Sequence, residues 1–160
     1  MIVLLRADDR AGGPVSAPGT LDDLAAVVLA HQGPGAVVAL DDSAPRDLPA
    51  AVQQAALRIV QEALTNAAKH GAPGEVRIVL EAVDEALVVR VTSPLPAVAP
   101  VREPAAAPAQ PDLPAGPGTG LLSMRERAES LGGTLAAGPV AGVWSVRATI
   151  PTSTREAGAR

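Results

Sequence analysis

The chain has 160 residues, enough for one domain with a real hydrophobic core, and its formal net charge of -4 argues against a general nucleic-acid binder. It contains no cysteine, which excludes a disulfide frame and thiolate metal sites and makes a reducing compartment acceptable. Phe and Tyr are absent and Trp144 is the single tryptophan, so the core must be built from Ala, Val, Leu and Ile.

Residues 1–19 begin with Met1-Ile2-Val3-Leu4-Leu5, a run too short for a signal peptide or a membrane span and broken by Arg6 and Asp8. The chain is therefore expected to be cytoplasmic, without a membrane segment. Arg10-Ala11-Gly12-Gly13-Pro14 reads as a flexible lead-in. Thr20 followed by Asp23 has the spacing of a helix capping pair, and Leu21, Leu24, Val28 and Leu29 give a helical face that ends before Gly33-Pro34-Gly35. Ala36 to Leu40 reads as a strand, and Asp41 to Pro49 as a turn-rich link.

A long helix is expected between Pro49 and Gly71, a proline start and a glycine stop. Helical residues advance by about 100°, so Glu62, Asn66, Lys69 and His70 form one polar stripe. Ala56, Val60, Ala63, Leu64 and Ala67 form an apolar arc beside it, suited to packing on a sheet. Taken alone, such a stripe more often marks a solvated face. Its composition also suits a phosphate and its metal: Asn oxygen and Glu carboxylate are hard ligands or bases, and Lys69 can meet phosphate oxygens.

After Gly71, Val76 to Leu80 and Leu87 to Val91 read as a β-hairpin around Val83-Asp84-Glu85-Ala86. Residues 94–119 then hold Pro94, Pro96, Pro100, Pro104, Pro108, Pro111, Pro114 and Pro117, half of the chain's 16 prolines. Proline neither continues a helix nor donates to a β-ladder, so this is a loop, read as a lid rather than a linker between domains. A helix from Leu121 to Leu131 is expected next, stopped by Gly132-Gly133. Thr134 to Ala137 and Val143 to Ile150 then form a hairpin around Gly138-Pro139, and residues 152–160 read as a frayed tail. The glycine-rich turn Gly116-Pro117-Gly118-Thr119-Gly120 runs straight into this helix, offering unpaired backbone N–H groups and a positive dipole end to an anion. The element order suits an α+β fold, a two-layer sandwich with helices on one face of a mixed, mostly antiparallel sheet.

Glu62-x-x-x-Asn66-x-x-Lys69-His70 resembles the N box of the GHKL ATPases, and Gly118-x-Gly120-Leu121 resembles their second glycine box. The continuation Ser123-Met124-Arg125-Glu126-Arg127-Ala128-Glu129-x-Leu131-Gly132-Gly133 is similar to the ATP-binding domain of sensor histidine kinases of the nitrate-sensor and DesK-like group. The resemblance covers residues 20–151 and implies a Bergerat-type ATP site closed by the lid at 94–119. It implies that Asn66 holds Mg against the triphosphate and that Glu62 is the base acting on the attacking group. Lys69 and His70 would face phosphate, although His70 is equally readable as a histidine satisfied at the helix C-terminus. Gly118, Thr119, Gly120 and Leu121 would let the backbone approach the phosphates.

Two departures stand out. Relatives usually place an Asp in the first glycine box to accept a hydrogen bond from the adenine amino group, and this chain has Ser93 there, followed by Pro94 and Pro96. A hydroxyl is a shorter, uncharged acceptor, and losing a charged hydrogen bond costs on the order of 1.5–3 kcal/mol. Trp144 stands near a position where relatives often carry a Thr facing the base. The other departure is that only His31 and His70 are present, neither in the context of a phosphoacceptor helix. Met1 to Asp9 resembles the end of a second dimerisation helix, so residues 1–19 are either a flexible segment or its remnant.

The resemblance thus implies an ATP- and Mg-dependent histidine kinase domain in two-component signalling. Its expected partners are a histidine-bearing dimerisation domain or partner chain and a response regulator. The alternatives are a degenerate, non-catalytic interaction module of the same fold and an anti-sigma-type serine kinase.

Overall fold

A computed structural model describes residues 19–96 and 119–153. Nearly all of the expected segment at 1–19, most of the lid at 94–119 and most of the tail at 152–160 lie outside the described residues. A short turn of 3-10 helix, Leu21–Asp23, leads into α1, Leu24–His31. There follow β1 (Ala36–Asp42), α2 (Ala50–His70), β2 (Gly74–Val83), β3 (Ala86–Pro94), α3 (Thr119–Ser130), β4 (Thr134–Val140) and β5 (Val143–Pro151).

The strands form one five-stranded sheet in the order β1-β2-β3-β5-β4. β1 runs parallel to β2, and the other three pairings are antiparallel. A parallel pair needs a crossover, and α2 supplies it between β1 and β2. This is the α+β sandwich that the element order implies.

Alternation decides which face of the sheet meets the helices. Val76, Ile78 and Leu80 of β2, Leu87, Val89 and Val91 of β3, and Val146, Ala148 and Ile150 of β5 are all buried. Against them pack Ile59, Val60, Ala63 and Leu64 of α2 with Met124 and Ala128 of α3. Burying a side chain of this size contributes roughly 1.5–3 kcal/mol, so this single cluster dominates the favourable side of folding. The opposite face carries exposed Arg77, Arg90 and Arg147.

Local chemistry fixes the element ends. The Asp23 carboxylate accepts the Thr20 N–H at 2.9 Å, the reach-back half of a helix cap. Gln53 of α2 braces the neighbouring turns: its Oε1 accepts the Leu21 N–H at 3.2 Å, and its Nε2 donates to the Leu48 carbonyl at 2.9 Å. Arg46 in the link before α2 bridges Asp42 and Asp22, and the hydrogen bond to Asp42 holds its pKa above the ordinary arginine value. α3 ends in a Schellman motif, with Gly132 at φ +76 and the Gly133 N–H donating to the Ala128 carbonyl at 2.8 Å.

One turn differs from the sequence expectation. The last hairpin does not reverse at Gly138-Pro139, which lie within β4 opposite Ser145 and Trp144. It reverses at Ala141 and Gly142, both with positive φ (48° and 83°). β4 is an edge strand, where a proline's missing N–H leaves no ladder bond unmade.

Candidate functional site

α2 carries the expected stripe in its last three turns, and its C-terminus is stitched to the end of β3. Gly71 N–H donates to the Ala67 carbonyl at 2.8 Å and closes the helix, and Ala72 N–H then donates to the Pro94 carbonyl at 3.0 Å. Gly74, at φ +148, lies so close to Pro94 that a Cβ there would come within 2.9 Å of its ring. This close approach holds Asn66 and His70 beside Ser93. β3 and β5 pair so that Ser93 lies directly opposite Trp144.

These elements enclose a cavity of about 370 Å³ lined by Asn66, Ala67, His70, Gly71, Ser93, Pro94, Leu95, Pro96, Leu121 and Trp144. Ser93, 4% exposed, is the one buried polar residue among the described residues. Asn66 is half-buried, His70 is exposed at the helix end, and Trp144 is half-buried against the core. The stripe on α2 and the start of α3, far apart in sequence, thus meet around one space.

The other expected residues distribute around it. Glu62, one turn before Asn66, lines a neighbouring hollow of about 280 Å³ with Arg58, Gln61, Thr65, Ser123 and Arg127. Gly120 sits against the Glu62 carboxylate: a Cβ added at Gly120 would overlap it. Thr119 opens α3, and Leu121 reaches the main cavity. Lys69 is exposed on the last turn of α2 and lines neither hollow. Gly118 lies outside the described residues.

Sequence reasoning passed over Ala67, Gly71 and Leu95 as wall residues, because small and apolar side chains carry no chemical signal. It also passed over Arg58 and Arg127, whose convergence beside Glu62 depends on how α2 and α3 pack.

Among the described residues no group of three His, Cys, Asp or Glu side chains could hold a metal ion. Asn66 offers one hard oxygen at the cavity wall. That donor set fits Mg, which commonly takes one or two protein ligands and completes its shell with water and phosphate. Among the described residues no helix is long and apolar enough to cross a membrane.

Comparison with known proteins supports the same architecture. The chain aligns in structure with the Acinetobacter baumannii histidine kinase AdeS at 15% identity and TM-score 0.54, covering 83% of this chain and 61% of that one. It aligns with the histidine kinase domain of the E. coli osmosensor EnvZ at 20% identity and TM-score 0.56, covering 92% and 98%. Full-length ShkA, solved in complex with AMPPNP, is 25% identical with TM-score 0.56, covering 90% of this chain and 33% of ShkA. The chain therefore spans about three fifths of AdeS and a third of ShkA. No curated protein sequence matches the chain. The family model for histidine kinase-, DNA gyrase B-, and HSP90-like ATPases matches residues 51–158. With that match over most of its length, and with the N-box helix and the α3 start meeting at one cavity, the chain belongs to the histidine kinase-, DNA gyrase B-, and HSP90-like ATPase family, the GHKL ATPases.

Proposed function

We propose that residues 20–151 are the ATP-binding catalytic domain of a sensor histidine kinase. The domain passes the γ-phosphoryl of Mg-ATP to a histidine carried on another segment or chain. The observation that carries this reading is the cavity shared by Asn66 of α2, Ser93 of β3 and Leu121 of α3, with Gly120 set against Glu62 beside it. The AMPPNP complex of ShkA supports a nucleotide as the occupant.

In this reading the base sits over the wall that Ser93 and Trp144 form side by side, and the triphosphate runs along α2 towards the start of α3. Asn66 would hold Mg, and the ion's charge would offset that of the phosphate oxygens. Glu62 accepts the proton or orients the attacking imidazole, which approaches through the hollow that Glu62 lines. His70, Thr119 and Gly120 contact phosphate, and Lys69, exposed at the end of α2, adds positive charge nearby. Phosphoryl transfer asks mainly for positioning and charge neutralisation, which this set supplies. The partners that follow are a histidine-bearing dimerisation domain and a response regulator, in cytoplasmic two-component signalling.

Ser93 favours one second reading, a non-catalytic interaction module that has lost strong nucleotide binding. Thermal unfolding separates the two. A nucleotide at a hundred times its Kd stabilises the folded state by about 2.7 kcal/mol. Millimolar Mg-ADP or Mg-AMPPNP should raise the midpoint, and chelating the Mg should remove the gain. No protection by either nucleotide selects the interaction module.

A further inference from the structure

Ser93 is 4% exposed and lines the cavity, and of the polar side chains lining it this one is the most deeply buried. None of the described residues lining the cavity is an Asp or a Glu; its other hydrogen-bonding side chains are Asn66, His70 and the indole N–H of Trp144. The nearest carboxylate named at the site, Glu62, faces the separate hollow between α2 and α3.

That composition decides how the cavity reads a purine. Adenine presents an amino donor at position 6, and guanine presents a carbonyl acceptor there. A carboxylate only accepts, so it pairs with the first and repels the second. A serine hydroxyl both donates and accepts, and rotation about Cβ–Oγ changes its role. Trp144, opposite Ser93 in register, offers an apolar ring to any base, since every base has a π-face. Leu121 and Pro94 add apolar wall without a hydrogen-bond preference.

We infer that this cavity binds purine nucleotides without discriminating adenine from guanine, and that Ser93 is the residue that sets this permissiveness. The inference rests on the nucleotide-site reading above and adds the base specificity to it. A site that positions a one-way hydrogen-bonding group rejects the mismatched analogue by orders of magnitude, and this site holds no such group at the buried position.

Calorimetric titration of the full chain with Mg-ATP and with Mg-GTP tests it. The expected result is two dissociation constants within about tenfold of each other. Binding of ATP with GTP about a hundredfold weaker or worse overturns the inference and leaves the nucleotide reading standing. Binding of neither nucleotide overturns both. Ser93→Asp should shift the ratio towards ATP by about tenfold or more. Because a buried carboxylate can prevent folding, Ser93→Ala provides a second arm. It should weaken both nucleotides by the same factor, and a loss confined to ATP overturns the assignment to Ser93.

Discussion

Gly120 and Glu62 are in van der Waals register across α2 and α3, with no room for a Cβ between the Gly120 backbone and the Glu62 carboxylate. The glycine thus sets where the carboxylate rests. The obstructing atom is the far end of a flexible side chain, so Gly120→Ala should fold normally. Alanine's better helix propensity, worth about 0.5–1 kcal/mol, offsets the cost of moving Glu62. We expect unfolding free energy to change by less than about 1 kcal/mol, with phosphoryl transfer from ATP to a supplied histidine acceptor at least about tenfold slower. Glu62→Gln, which removes the proposed base and keeps the shape, should slow the same transfer by about a hundredfold. Wild-type transfer in Gly120→Ala would separate Glu62 from the chemistry.

Asn66 occupies the cavity wall one turn before His70 and is half-buried. The proposed role as a Mg ligand predicts a loss specific to the metal-bound nucleotide. Asn66→Ala should leave the ligand-free midpoint nearly unchanged, because no core contact is removed, and should weaken Mg-nucleotide binding by tenfold or more, about 1.4 kcal/mol. Binding measured in EDTA should be equally weak in both proteins. Trp144 reports this directly, as the chain's only Trp, Tyr or Phe and a lining residue of the same cavity.

The sequence disclosed the α2 stripe because helical periodicity puts Glu62, Asn66 and His70 on one side by local geometry alone. It disclosed β2 because its buried residues alternate, and β3 because Leu87 to Val91 is a nearly continuous apolar run. Other features depend on long-range register and were not legible. The opposition of Ser93 and Trp144 requires the β3–β5 pairing, and the stitch between Ala72 and Pro94 requires the ends of α2 and β3 to meet. Turn chemistry also misled: Gly138-Pro139 carries a strong turn signal, yet an edge strand tolerates both. Asp84 and Glu85 reverse β2 into β3 with φ of 47° and 59° and no glycine. The separation of Glu62 from the main cavity arises from α2–α3 packing, which no stripe on one helix specifies.

Gly133 tests how α3 is joined to the sheet. A Cβ there would overlap the Thr149 carbonyl and press on the Ala128 carbonyl and Ile150 Cα, all of them backbone. Backbone in a β-ladder and a helix end cannot step aside as a side-chain tip can. Gly133→Ala should therefore destabilise by roughly 1–3 kcal/mol in denaturant unfolding. Gly138→Ala, with nothing within 4 Å of its added Cβ, serves as the control and should change stability by less than about 0.5 kcal/mol. Equal effects in the two variants would contradict the tight join.

Arg90 and Arg147 face each other in register on the open side of the sheet, both exposed, and neither has an ion-pair partner among the described residues. Directly opposed like charges destabilise a strand pair, and opposite charges contribute roughly 0.2–1 kcal/mol. Arg147→Glu exchanges repulsion for attraction and should raise unfolding free energy by about 0.5–1 kcal/mol at low ionic strength. Arg147→Gln removes the repulsion alone and should fall between the two. At 1 M salt, where the screening length is about 3 Å, the differences should largely vanish. The measurement is a denaturant midpoint for the three proteins at low and high salt. A loss of stability in Arg147→Glu at low salt would mean that the two guanidinium groups avoid each other by extending into solvent, leaving the new carboxylate without a partner.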